Sequence, residues 1–127
     1  MLNPKHCLMS STAHYLKLQS NENRCAFTEH EHGLSFHDTC PVSGNPKLGS
    51  SLTICYKAKD YFLEVASLKE LVDSYRGGKG DVRSMEGMLQ EIAQVCADAL
   101  DVDVQLHSFL LLEPDQTMRV KCYAFPK

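Results

Sequence analysis

The segment best suited to chemistry begins at Cys40 and runs Cys40-Pro41-Val42-Ser43-Gly44-Asn45-Pro46. Its two prolines fix φ and remove backbone donors, and its glycine can take positive φ. Such a segment holds one backbone shape and presents the Cys40 thiol from it. The chemistry this suggests is nucleophilic, because a thiolate attacks electrophilic carbon and forms covalent intermediates. A polar approach rich in histidine leads into the turn: Glu29-His30-Glu31-His32, then His37-Asp38. His30, His32, His37 and Cys40 are also ligand types that zinc accepts, and on a strand His30 and His32 would point to one face. The spacing matches no closed zinc motif, and a solvated His/Glu strand face is the simpler reading. For Cys40 the readings are an active-site nucleophile, the remnant of one, or a buried cysteine opening a turn between two strands, since free cysteine is commonly buried and inert.

The elements that must position this turn follow from pattern. Residues 12–35 show partial alternation and read as an extended segment. Residues 49–57 make a strand, with β-branched and aromatic residues in polar-apolar alternation. Tyr61–Glu64 is a short extended piece. Ser67–Tyr75 reads as a helix: Ser67 is placed as N-cap with Glu70 at capping-box spacing, and Leu68, Leu71, Val72 and Tyr75 share a face. Gly77-Gly78-Lys79-Gly80 has a phosphate-friendly composition but lacks the Walker spacing, and reads as a loop between helices. Ser84 caps a second helix to Leu100, with Met85, Met88, Leu89, Ile92, Val95, Cys96 and Ala99 as its apolar stripe. Asp101–Leu112 alternates as a strand, Glu113–Thr117 carries turn chemistry, and Met118–Phe125 closes a hairpin. The predicted order is strand, strand, helix, helix, strand, strand. This is an α+β fold with a four-stranded antiparallel sheet and two helices on one face. Its two sheet edges invite cover by a neighbouring subunit, so a homo-oligomer is expected.

Composition narrows the field. With 127 residues the chain is expected to form a single domain over 1–127, residues 1–11 being a loose leader. A net charge of −3 gives no basic surface for nucleic acid. No apolar run reaches membrane-spanning length, and the first residues lack the regions of a signal peptide, so a cytoplasmic location is the expectation. The six cysteines, Cys7, Cys25, Cys40, Cys55, Cys96 and Cys122, form no CxxC pair. Cys55, Cys96 and Cys122 lie in apolar segments and read as small core residues.

The Cys40–Pro46 segment resembles that of the nitrile reductase family of queuosine biosynthesis, which reduces 7-cyano-7-deazaguanine to the aminomethyl compound. The resemblance extends through Glu64-Val65-Ala66-Ser67-Leu68-Lys69 to Met85-Glu86, covering about residues 25–100. It implies the tunnelling fold, shared with GTP cyclohydrolases and pterin synthases, whose ββααββ units assemble into oligomeric barrels with ring-binding sites at subunit interfaces. It implies Cys40 as the nucleophile that adds to the nitrile to give a thioimide, and Glu86 as the carboxylate that accepts two N–H bonds from the guanine-like edge. As a first-turn glutamate, Glu86 also suits the helix dipole. Glu64 and Ser67 fall in the substrate-binding stretch, and Lys69 in the grip on NADPH. No metal is expected from this resemblance.

The chain departs from that pattern at three places. Lys47 stands where the family has its general acid, Met85 where it has a histidine, and Ala66 where it has the first of two cofactor lysines. Lys47 could act differently if desolvated, and His37 or Asp38 could supply protons instead. The candidate functions are therefore a divergent NADPH-dependent reductase and a single-unit amidinotransferase of tRNA modification that passes the thioimide to an amine. A metal-assisted purine or pterin cyclohydrolase using His30, His32 and His37 is a third, and a non-catalytic purine- or pterin-binding module a fourth. The small molecule is the expected partner, with nucleic acid only if tRNA is the substrate.

Overall fold

The protein is represented by a computed structural model that describes residues 16–127. The leader expected over residues 1–11 lies outside the described residues. The elements are β1 (Leu18–Ser20), β2 (Thr28–Ser35), β3 (Ser51–Ala58), β4 (Tyr61–Leu63), α1 (Val65–Asp73), α2 (Met85–Leu100), β5 (Val104–Leu112), β6 (Gln116–Met118) and β7 (Lys121–Ala124). The architecture is α+β, and every strand pair is antiparallel. No helix among the described residues is long and apolar enough to cross a membrane.

The main sheet runs β2-β3-β5, and β6 and β7 both pair with β5. The predicted closing strand over Met118–Phe125 is thus two strands. β6 joins Leu110–Leu112, and β7 joins Val104–His107. Ser108 fills the break: its hydroxyl accepts from the Val120 amide at 3.1 Å and donates to the Val120 carbonyl at 3.0 Å. Taken together β6 and β7 act as one interrupted fourth strand.

The single extended segment expected over 12–35 is also divided. β1 pairs with β4 in a separate two-stranded ribbon, with Leu18 opposite Leu63. Only β2 enters the main sheet, in register with β3 from Thr28↔Ala58 to Ser35↔Ser51.

Strand alternation decides which face is buried. Leu52, Ile54, Tyr56 and Ala58 of β3 and Val104, Leu106, Ser108, Leu110 and Leu112 of β5 are buried. Their neighbours in each strand are more open, as period-2 geometry requires. The buried side chains join Leu68, Leu71 and Val72 of α1 and Met88, Leu89, Ile92 and Cys96 of α2 in one core. Each fully buried aliphatic side chain contributes roughly 1.5–3 kcal/mol by leaving water, and this burial holds the helices on the sheet.

The helix starts differ in how well local pattern foretold them. Ser84 caps α2 as expected, its hydroxyl accepting from the Gly87 amide at 3.0 Å. For α1 the expected Ser67 cap is corrected. The N-cap is Glu64, whose carboxylate accepts from the Ala66 amide at 2.9 Å and the Ser67 amide at 2.8 Å. A glutamate reaching both amides satisfies two of the unpaired N–H groups of a helix start, so the cap falls three residues earlier than the serine pattern indicates.

Candidate functional site

The turn at Cys40 is closed by its own backbone and by neighbours far away in sequence. The Cys40 amide donates to the Asn45 carbonyl at 2.9 Å, and the Gly44 amide donates to the Cys40 carbonyl at 2.8 Å. Gly44 takes φ +74°, a conformation that favours glycine. The Asp38 amide donates to the Pro46 carbonyl at 2.8 Å, closing the base of the hairpin. Next to the cysteine, buried Thr39 donates its hydroxyl to the Met88 sulfur at 3.3 Å, which ties the turn to α2. The loop between helices adds a third tie, as the Gly77 amide donates to the Asp38 carbonyl at 2.6 Å.

Within this frame the Cys40 thiol is partly exposed. The Ser43 hydroxyl, then the Ser43 amide and the Val42 amide, hold it below the ordinary thiol range. The Ser43 amide lies 3.5 Å from the sulfur. The Arg83 guanidinium acts in the same direction. Donors aimed at sulfur favour the thiolate, the nucleophilic form. Of the sequence readings, a buried cysteine beginning a turn does not describe this geometry.

The other expected site residues fall into three groups. The first lies at the same end of the molecule. Glu86 stands exposed in the first turn of α2, the helix that Thr39 grips through Met88. Met85 beside it is a core residue. Lys47 pairs with Glu113 at 3.2 Å. Glu113 is in turn fastened to the Cys40 turn: its amide donates to the Asn45 side-chain oxygen at 2.9 Å, and the Asn45 side-chain amide donates to its carbonyl at 3.4 Å. A carboxylate thus reaches this turn, carried by the loop after β5.

The second group holds α1. Glu64 caps it, and the two amides it accepts keep its carboxyl below the usual range. Ser67 is buried, accepts from the Lys17 amide at 2.9 Å and donates to the Glu64 carbonyl at 3.0 Å. Lys69 is paired with Asp73 at 2.8 Å one turn along the helix. Ala66 stands in place of the other lysine.

The third group is the histidines, which the structure does not bring together. His30 and His32 do share a face, stacked on Tyr56 with ring centroids at 5.2 and 5.6 Å. His30 also stacks on Phe62 at 5.2 Å. The Tyr56 hydroxyl accepts from the Leu63 amide at 2.9 Å and shares a hydrogen bond with His32 Nε2 at 3.0 Å. Burial pushes the Tyr56 phenol up to about 12 and His32 below its ordinary value, with the neighbouring His30 adding to the second shift. His37 is engaged elsewhere. Its Nε2 accepts from Arg76 at 3.1 Å, which leaves the proton on Nδ1 for Asp38 at 2.8 Å. Among the described residues no group of three or more His, Cys, Asp or Glu side chains is arranged to hold a metal.

Ser43, Asn45, Arg83 and Glu113 are site residues that sequence reasoning did not single out. Ser43 and Asn45 were legible only as turn formers. Arg83 and Glu113 come from other segments, and no local pattern marks their arrival. No family model matches the chain, and no curated protein matches it either.

Proposed function

We propose that the chain is a thiol enzyme of the tunnelling-fold kind, acting through Cys40 on a nitrile-bearing 7-deazapurine such as 7-cyano-7-deazaguanine. The observation that carries this reading is the partly exposed Cys40 sulfur facing the Ser43 and Val42 donors in a turn fastened to α2. In the step proposed, the Cys40 thiolate adds to the nitrile carbon. A C–S bond forms, one C–N π bond breaks, and the nitrogen takes a proton from water at the open mouth of the site. The product is a thioimide on Cys40. Glu86 would accept two N–H bonds from the guanine-like edge.

The exposed surroundings support an oligomer that closes the site. Val42 and Leu48 flank the turn at 92% and 74% exposure, and large aliphatic side chains so placed favour cover by a second surface. The β2 strand, paired only with β3 among the described residues, leaves a sheet edge that another copy could extend.

The fate of the thioimide divides two readings. A reductase needs hydride from NADPH, and Lys69 held by Asp73 with Ala66 nearby gives that cofactor little to bind. This favours the second reading, in which an amine displaces sulfur and leaves an amidine, as in the amidinotransferases of tRNA modification. The deciding experiment is intact-protein mass spectrometry after incubation with 7-cyano-7-deazaguanine, beside a Cys40→Ala control. The expected result is an adduct of the ligand's mass on the wild type alone. No adduct under these conditions, with the protein folded, would end the nitrile reading and favour a purine- or pterin-binding module. With an adduct in hand, chase by an amine or by NADPH separates the two fates.

A further inference from the structure

The face of the main sheet turned away from the helices has no part in the chemistry above. On it Gln105, His107 and Phe109 of β5 alternate with the buried residues of that strand. The register sets Tyr123 opposite Gln105 and Lys121 opposite His107, and directly opposed residues of an antiparallel pair project to the same side. Gln105 and His107 share a hydrogen bond at 3.2 Å. Arg119, from the break between β6 and β7, lies over the Phe109 ring with its guanidinium carbon 4.9 Å from the centroid. Tyr123 is 60% exposed, and Lys121 and Arg119 are exposed beside it. The patch therefore has an open ring at one end and an arginine plane backed by a ring at the other, about 14 Å along β5. Lys121 lies between them.

Charge on this face is sorted. The chain as a whole carries −3, but the patch contains no carboxylate. Among the described residues neither Arg119 nor Lys121 forms an ion pair with one. The acidic residues of the same face, Glu29 and Glu31, stand on β2. Between them and the patch, β3 sets Ser51, Thr53 and Cys55 opposite Phe109, His107 and Gln105. Three strand spacings separate β2 from β7, about 14 Å, which exceeds the screening length of about 8 Å at physiological salt. The β7 side is thus cationic where it matters, at contact range.

We propose that the open face of β5 and β7 binds single-stranded RNA, with bases stacked on the Tyr123 ring and on the Arg119 guanidinium, and a phosphate met by Lys121. Unpaired bases stack on aromatic rings and on arginine planes, and the backbone follows the cations. A duplex keeps its bases stacked on one another and leaves these planes unused. Gln105 and His107 lie between the two stacking positions, where polar side chains meet the 2′-hydroxyl that marks RNA. The proposal does not depend on the reading of Cys40.

The test is fluorescence anisotropy with the full chain and a labelled RNA of about ten nucleotides, without self-complementarity, from about 50 to 200 mM NaCl. Wild type should bind it saturably, and more tightly than the duplex or the DNA of the same sequence. Tyr123→Ala should weaken binding roughly 5- to 100-fold. Lys121→Ala should make the slope of log affinity against log salt shallower by about 0.7. Arg119→Lys, which keeps the charge and loses the plane, should weaken binding and leave that slope unchanged. Absence of saturable binding by wild type at the lowest salt would overturn the proposal. So would wild-type affinity in both Tyr123→Ala and Arg119→Lys, with circular dichroism showing them folded. DNA bound as tightly as RNA would overturn the assignment to RNA. If wild type binds no RNA and Tyr123→Ala dissociates an oligomer in sedimentation velocity, the face is an interface between copies and the proposal falls.

Discussion

Cys96 sits midway along α2, wholly buried in the core formed by the helices and the inner face of the sheet. Burial pushes its thiol up to about 12. Cys40 begins an open turn, partly exposed, with Ser43, Val42 and Arg83 drawing its thiol the other way. The side chains are chemically identical, so the contrast isolates environment. Where sulfur meets only apolar neighbours it stays a thiol and serves as packing. Where it meets fixed donors and water the thiolate form is favoured. The core region is organised to exclude water, and the turn region to aim dipoles at one atom.

The strongest way to break this contrast is native-state alkylation. Cys96 is wholly buried and reacts only when the core opens, so Cys40 should react faster by orders of magnitude. Comparable rates measured by peptide mapping would mean that the two environments are not as different as they look.

Ile92→Ala sharpens the contrast from the core side. Ile92 is fully buried one turn before Cys96, and its truncation should cost about 2–5 kcal/mol in urea unfolding. Cys96 labelling should rise with the more frequent opening, while Cys40 labelling stays near wild type. A smaller loss, about 1 kcal/mol, is expected for Ser84→Ala, which removes the cap of α2; thermal denaturation would measure it.

On the turn side, Ser43→Ala removes the largest of the influences that lower the Cys40 thiol. Its alkylation at neutral pH should slow by about a few-fold, with no change in melting temperature. Equal rates in the variant would shift the weight to the amides and Arg83.

The subtlest expected effect is a pH slope. His32 is held below its ordinary value, so the unfolded chain takes up its proton first. Its contribution to stability is full above about pH 6.5 and is lost as pH falls through the lower folded value. Melting temperature against pH from 7 to 5 should fall less steeply in His32→Gln than in wild type. A steeper fall in the variant would contradict the lowered value of His32.

The parts of this molecule legible in advance share a physical cause. The Cys40 turn, the Ser84 cap and the stripe of α2 depend on residues within a few positions of one another, where proline, glycine, a capping hydroxyl and helical spacing act directly. The strands β3 and β5 are long enough to show their alternation. β1 and β4 have three residues each, too few to reveal a period, and their pairing joins Leu18 to Leu63 across the chain. The Ser67 cap fails for a local reason: a serine with glutamate three residues on is the familiar pattern, but the Glu64 carboxylate takes the Ala66 and Ser67 amides and starts the helix before Ser67. The three histidines share a composition but not a location, because strand register sends His30 and His32 to Tyr56 while the loop carries His37 to Arg76.

By itself the sequence determined the α+β class, the two helices, most of the sheet and a turn that presents a thiol, since each follows from short-range backbone and side-chain preferences. Only the tertiary structure decided what surrounds that thiol. The tie of Thr39 to Met88 and the carboxylate of Glu113 at Lys47 join segments remote in sequence. Electrostatic influence on an ionising group depends on distance in space, and distance in space is settled when the helices pack on the sheet.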